Sequence, residues 1–207
     1  RDMFNDDVAD ELQKLQDQVP AFATADAREI IEAALGNDIE TLFTAFDDHP
    51  LASASVAQVH TANLKTGESV VVKIIRPGIE VTIKQDLQVM YLLANFLERG
   101  WEDGRRLHPV AVVRDYERTI LDELDLLLEA ANATQLRKHW DLSGKLYVPL
   151  VYWEYCRTNV MVMERIHGLG SADVQGLRDR GVNMQKLAHL GVEIFFAQVF
   201  EHNFFHA

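Results

Sequence analysis

Apolar residues recur along the chain with two different periods, and the switch between them divides it. Over residues 6–19, Val8, Leu12, Leu15 and Val19 share one stripe of a 3.6-residue repeat, which predicts an amphipathic helix stopped by Pro20. A second helix is expected from about Thr24 to Leu35, with Gly36 as its stop signal. A third, short one is expected from Asp38, with Ile39, Leu42, Phe43 and Phe46 facing inward. The pattern then becomes that of strands. Residues 51–64 and 69–76 read as two strands joined by the turn Lys65-Thr66-Gly67, and Pro77-Gly78 breaks the second. A long helix over 79–98 places Ile83, Leu87, Met90, Tyr91, Ala94 and Leu97 on one side. Pro109 suits the first turn of a further helix, which continues to about His139. Short strands over 146–151 and 160–165 and a last helix over 183–201 complete the pattern. Strands and helices do not alternate as in a doubly wound sheet. The order predicts an α+β fold, a small antiparallel sheet flanked by helices.

With 207 residues, 48% of them hydrophobic, the chain can bury one proper core. It starts at Arg1 and ends on Phe204-Phe205-His206-Ala207, so both ends read as cuts in a longer protein. No signal peptide is seen, and no apolar run is long enough to span a bilayer. The single cysteine, Cys156, excludes an internal disulfide and reads as a small buried apolar residue. The net charge of −12 is uneven: residues 1–48 hold 13 Asp/Glu against 3 Lys/Arg, and the rest is nearly neutral. Such a surface repels phosphate backbones, which argues against nucleic acid as a partner.

The chemistry concentrates in the first hairpin. Residues 52–59, "ASASVAQV", have the spacing of the kinase loop G-x-G-x-x-G-x-V. Ala52, Ala54 and Ala57 stand on the glycine positions and Val59 on the valine, and Lys73 follows 14 residues later in "VVVK". A lysine on so apolar a strand needs an anionic partner, and a nucleotide phosphate together with a helix carboxylate would serve. The alanines close off the positive-φ conformations open to glycine and occupy space near a γ-phosphate, so the loop is expected to be stiffer than an ordinary one.

Candidate carboxylates lie in "LDELDLLLEAANATQL", residues 121–136. On one continuous helix, Glu123 and Glu129 point about 120° apart, so one faces Lys73 and the other a different cation. The residues themselves leave open which. The strand 160–165, "VMVMER", is like a kinase strand running into its hinge: Met163 is a candidate gatekeeper, and the backbone of Glu164 and Ile166 is placed to meet an adenine.

Together, "LASASVAQVH", "VVVKIIRPGI", "YERTILDELDLLLEAANATQL", "VMVMERIHG" and "FFHA" closely resemble the UbiB/AarF family of atypical kinases along essentially the whole chain. The resemblance implies an atypical protein-kinase-like fold. It divides the chain into an acidic helical extension (1–50), a kinase-like N-lobe with an inserted helix 79–98 (51–166), and the start of a C-lobe (167–207). It implies that Leu51, Ala52, Ser53, Ala54, Ser55, Val56, Ala57, Gln58 and Val59 form an alanine-rich nucleotide loop. Lys73 would be the nucleotide lysine and Glu129 its ion-pair partner. Glu123 and Asp125 would form a regulatory Glu-x-Asp motif, and His206 would open the catalytic loop. The family's Lys-x-Gly-Gln motif would precede Arg1. Its catalytic aspartate and metal-binding residues would follow Ala207, so no catalytic or metal residue is expected within the chain.

For function, the resemblance implies an atypical kinase or ATPase required for ubiquinone biosynthesis, with ATP or ADP and Mg²⁺ as cofactors. It places the parent protein on the cytoplasmic face of the bacterial inner membrane, through a C-terminal region, with a polyprenyl lipid or ubiquinone-pathway enzymes as partners. A non-catalytic nucleotide-binding scaffold and a small-molecule phosphotransferase are the alternatives. The alanine loop and the extra N-terminal helices count against the second of these.

Overall fold

The structure is a computed structural model that describes residues 19–100, 106–141, 143–171 and 173–201. The helix expected over 6–19, apart from Val19, and the expected catalytic-loop His206 lie outside the described residues.

Helix α1 spans Thr24–Leu35 and ends as the sequence indicates. Gly36 adopts φ 74°, and its N–H returns to the Glu32 carbonyl. The short helix that follows is only Ile39–Leu42 (α2), and the chain passes directly into strand β1, Phe43–Phe46. The helical spacing of Phe43 and Phe46 therefore has another cause. A bulge between Phe43 and Ala45 inserts one residue against the neighbouring strand and turns both rings inward, 6.1 Å apart.

Among the described residues the sheet has five strands. The first predicted strand is divided into β2 (Ala52–Ser53) and β3 (Ala57–Leu64), and the second is β4 (Ser69–Ile75). The division has a local cause: residues 54–56 turn back so that the Ala54 N–H donates to the Ala57 carbonyl at 2.8 Å. β1 and β2 both pair antiparallel with β3, β3 pairs with β4, and β4 pairs with β5 (Val160–Glu164). The segment expected as a strand over 146–151 meets β5 only at its end, where Val151 bridges Met163.

β4 alternates from Ser69 to Ile74, and Ile75 at its end is buried too, under α5 on the other face. Val70, Val72 and Ile74 are fully buried against α1, where Ala27 and Ile31 meet them together with Val160 and Val162. Each such side chain contributes about 1.5–3 kcal/mol by leaving water. Val71 and Lys73 point to the opposite, more open face.

Helix α3 runs Ile79–Gly100 and packs against α4, Pro109–Asp122, through Leu87, Ala94 and Val113. Leu97, one turn beyond that contact, stays 45% exposed. The helix expected from Pro109 to His139 is broken. α4 ends at Asp122, and α5, Leu126–Trp140, begins after Asp125, whose side chain accepts from the Leu127 N–H at 3.0 Å. Asp is a poor interior residue and a good N-cap, and the Leu126 N–H is taken by the Thr158 carbonyl, so the chain restarts rather than continues. Beyond β5, a short helix not anticipated from the pattern, α6, spans Val174–Asp179. The last predicted helix is α7, Met184–Phe196, passing into a π-helical turn at Ala197–Glu201.

Candidate functional site

The open face of the sheet is built by β3, β4 and β5 and closed at one end by α5. In register, Val59 of β3 lies opposite Lys73 of β4, and Lys73 opposite Met161 of β5. α5 reaches this face because its inward stripe is small and apolar. Leu126 and Ala130 are fully buried beside Ala57, Ile75 and Met161. Glu129 lies one position before Ala130 on that stripe, in the first turn, where the helix N-terminus favours a carboxylate.

The Lys73 ammonium donates to both Glu129 oxygens, at 2.7 and 2.6 Å. The two side chains are 24% and 31% exposed, so the pair is partly shielded from water and open on one side. An ammonium has three N–H donors, so at least one remains for an incoming anion.

The break between α4 and α5 overturns the expectation that Glu123 and Glu129 leave one helix at 120°. Glu123 follows the end of α4 and is exposed, whereas Asp125 is spent on capping α5. The two residues of the Glu-x-Asp stretch thus sit in the connection, and only Glu129 reaches Lys73.

The loop residues fall into three groups. Leu51, Ala52, Ala54 and Ser55 are exposed, and Ser53, Val56 and Val59 are half-buried. Leu51 donates its N–H to the Val59 carbonyl at 2.8 Å, which fastens the base of the β2–β3 hairpin. Ala57 is buried in the cluster under α5. Gln58 points to the other face and is fully buried, so only its backbone belongs to the open side.

At the end of β5, Met163 is half-buried and faces the same way as Lys73, two residues along from Met161. The Glu164 N–H is taken by the Leu150 carbonyl. Its carboxylate accepts from the Tyr147 hydroxyl at 2.6 Å and from the Leu150 N–H at 3.1 Å. These bonds, the Tyr147 one first, and the nearby Arg137 hold the Glu164 carboxyl below the usual glutamate range. The same bond pushes the Tyr147 phenol up. Ile166 is 49% exposed, and its N–H has no backbone partner among the described residues. Burial raises the Cys156 thiol, which donates to the Tyr152 carbonyl and packs as a small buried residue in the cluster under α5. Nothing in the residue pattern pointed to the bonding role of Glu164. Its strand-end position was the only signal.

A twisted antiparallel sheet, a lysine on its third long strand and a helix glutamate bonded to that lysine define a protein-kinase-like N-lobe. The chain matches the ABC1 atypical kinase-like domain over residues 14–207, and it belongs to that family. It is 56% identical over its whole length to a Marinobacter nauticus protein named "Probable protein kinase UbiB" and 56% identical to a protein of the same name from Pseudomonas putida. It spans 38% of the length of each. Among solved structures, it superposes with a TM-score of 0.64 and 28% identity on the Mycobacterium tuberculosis protein Rv3197, determined in complex with erythromycin. That match covers 84% of this chain and 42% of the other.

Proposed function

We propose that the protein to which this chain belongs is an atypical kinase or ATPase of ubiquinone biosynthesis, and that this chain holds the nucleotide between its alanine-rich loop and the Lys73–Glu129 pair. The observation that carries the reading is that pair: an ammonium bonded to both carboxylate oxygens, open on one side and opposite Val59 of the loop hairpin. ATP or ADP would supply the anion and the phosphoryl group. Glu129 fixes the direction of Lys73, whose remaining donor meets a phosphate oxygen as a charge-assisted bond. Val59 and Met163 offer apolar walls for a base, and the open Ile166 amide lies just past the strand end where such a base would sit. None of the three alanines takes a positive φ, and Ala52 and Ala57 lie in the extended strands β2 and β3. Nucleotide selection then rests on a preformed hairpin and not on a glycine loop that folds over phosphates.

Mg²⁺ is part of the same reading; no group of three or more His, Cys, Asp or Glu side chains that could hold a metal lies among the described residues. No helix among the described residues is long and apolar enough to cross a membrane. Attachment to the inner membrane, and lipid or pathway-enzyme partners, rest on the family resemblance.

The test is calorimetry with ATP and with ADP plus Mg²⁺ on the full-length protein and its Lys73→Met variant. Removing the ammonium should lower affinity at least about tenfold, since a bond to a charged group contributes about 1.5–3 kcal/mol. Thermal stability should change little, because Glu129 is exposed enough to be solvated when alone. Undiminished nucleotide binding by the variant would overturn the role given to Lys73.

A further inference from the structure

A second set of bonded polar side chains lies away from the Lys73 pair. Gln58 and Arg76 tie the loop hairpin to residues 20–22, and His60 ties Gln58 to Asp47. Gln58 and His60 are 0% exposed, on the face of β3 opposite Lys73. Polar groups at that depth persist only when bonded. Gln58 Oε1 accepts the Phe22 N–H at 3.0 Å, and its Nε2 lies 3.4 Å from the Phe22 carbonyl and 2.9 Å from His60 Nε2. The amide orientation therefore makes His60 Nε2 an acceptor. The ring proton sits on Nδ1, which donates to the Asp47 carbonyl at 2.8 Å. Phe46 stacks on the imidazole, with ring centroids 5.0 Å apart. Every group in the row has one possible role.

Arg76 follows β4 and works from the other side of the bend. Its Nη2, with two N–H donors, lies 3.1 Å from Ser53 Oγ and 3.1 Å from the Ala54 carbonyl within the loop and 3.0 Å from the Pro20 carbonyl outside it, so one N–H is shared between two acceptors, while Nε is buried without a partner among the described residues. The guanidinium also lies 5.4 Å from the centre of the Phe22 ring. The Arg76 N–H donates to the Val56 carbonyl, so backbone and side chain of this residue both grip the bend. Pro20–Phe22 is thereby fastened at Phe22 by Gln58 and at Pro20 by Arg76, and the Ala54–Ala57 turn is fastened to the same segment.

We propose that Arg76 and the Gln58–His60 pair are positioning residues, through which the backbone of Pro20–Phe22 sets the stance of the alanine loop over Lys73 and so the affinity for nucleotide. The inference rests on the reading of the Lys73 face as a nucleotide site. A glycine loop finds its position by closing on phosphates. This loop is stiffened by three Cβ atoms and anchored from behind, so a displacement of residues 20–22 is passed to the bend as a rigid shift. The substitution of lysine for Arg76 keeps the charge but supplies a point donor in place of the planar fork that stacks on Phe22.

Amide exchange and calorimetry on the full-length protein test this together, with Gln58→Met, Arg76→Ala and the milder Arg76→Lys. Gln58→Met should speed exchange of the Phe22 amide about tenfold, the effect of losing one hydrogen bond. Arg76→Ala frees the Ala54 carbonyl and Ser53 Oγ, and by loosening the bend it should speed exchange of the Ala54 amide, which is held by the Ala57 carbonyl. Exchange at Val72 and Ile74 in the sheet centre should stay unchanged. ATP affinity should fall several-fold in both, with Arg76→Lys between them and the unaltered protein. Equal acceleration across β4, or unchanged exchange at Phe22 and Ala54, would reduce these residues to general supports of the fold. Local loosening with unaltered nucleotide affinity would likewise overturn the proposal. Absence of nucleotide binding by the unaltered protein would instead overturn the reading of the site. It would take the affinity claim with it and leave exchange at Phe22 to decide the anchoring.

Discussion

The two faces of β4 are made by alternate residues of one seven-residue strand, and they are held by different forces. On the closed face, Val70, Val72 and Ile74 are fully buried under α1, and packing alone holds them. On the open face, α5 covers one end through Leu126 and Ala130, and Lys73 stands where the cover stops. A methylene lost from the first face leaves a cavity with nothing to fill it. A charge lost from the second is largely taken up by water. A sheet of this kind can keep its stability on one side and its chemistry on the other, and substitutions should separate the two.

The largest effect is expected on the closed face. Ile31→Ala removes a fully buried side chain between α1 and the sheet and should cost about 2–5 kcal/mol in denaturant unfolding. Val71→Ala, on the half-buried face of the same sheet, should cost clearly less, and equal losses would erase the distinction between the faces. A smaller effect is expected where the open face depends on a helix start. Asp125→Ala removes the cap bonded to the Leu127 N–H and should cost about 1 kcal/mol of stability. Because α5 carries Glu129, it should also weaken nucleotide binding. A full stability loss with unaltered binding would uncouple the cap from the site.

The smallest effect is a pH dependence at the end of β5. The Glu164 carboxyl is held below its ordinary value of 4.5 by Tyr147, Leu150 and Arg137. A depressed carboxyl stabilises the fold above its unfolded-state value and ceases to do so as the pH falls through its folded value. Glu164→Gln should therefore be less stable than the parent at neutral pH, and the gap should close progressively below about 4.5. A gap that is constant with pH would mean that the carboxylate charge contributes nothing there.

Much of this was legible in the residues. The α1 stripe and Gly36, the β3–β4 hairpin and its turn, and the long helix after Pro77-Gly78 all follow from local periodicity and turn chemistry, which act within a few residues. The spacing from the alanine loop to Lys73 was legible for the same reason, since a two-strand hairpin fixes it. The failures were tertiary. Phe43–Phe46 has helical spacing, yet it becomes a strand because β3 offers an edge and a bulge restores the inward direction of both rings. The run from Pro109 to His139 is helical by propensity, yet it breaks because burying Leu126 against the sheet requires a new axis, which Asp125 can start. Gln58 sits within a loop motif, but strand alternation turns its side chain to the opposite face. The sequence by itself therefore called for an anionic partner for a lysine on an apolar strand, because an ammonium half-removed from water is costly unless it is paired. Periodicity left Glu123 and Glu129 open and the family resemblance pointed to Glu129; the structure pairs Lys73 with Glu129 through the break between α4 and α5, which depends on packing between residues distant in the chain and is invisible to any local pattern.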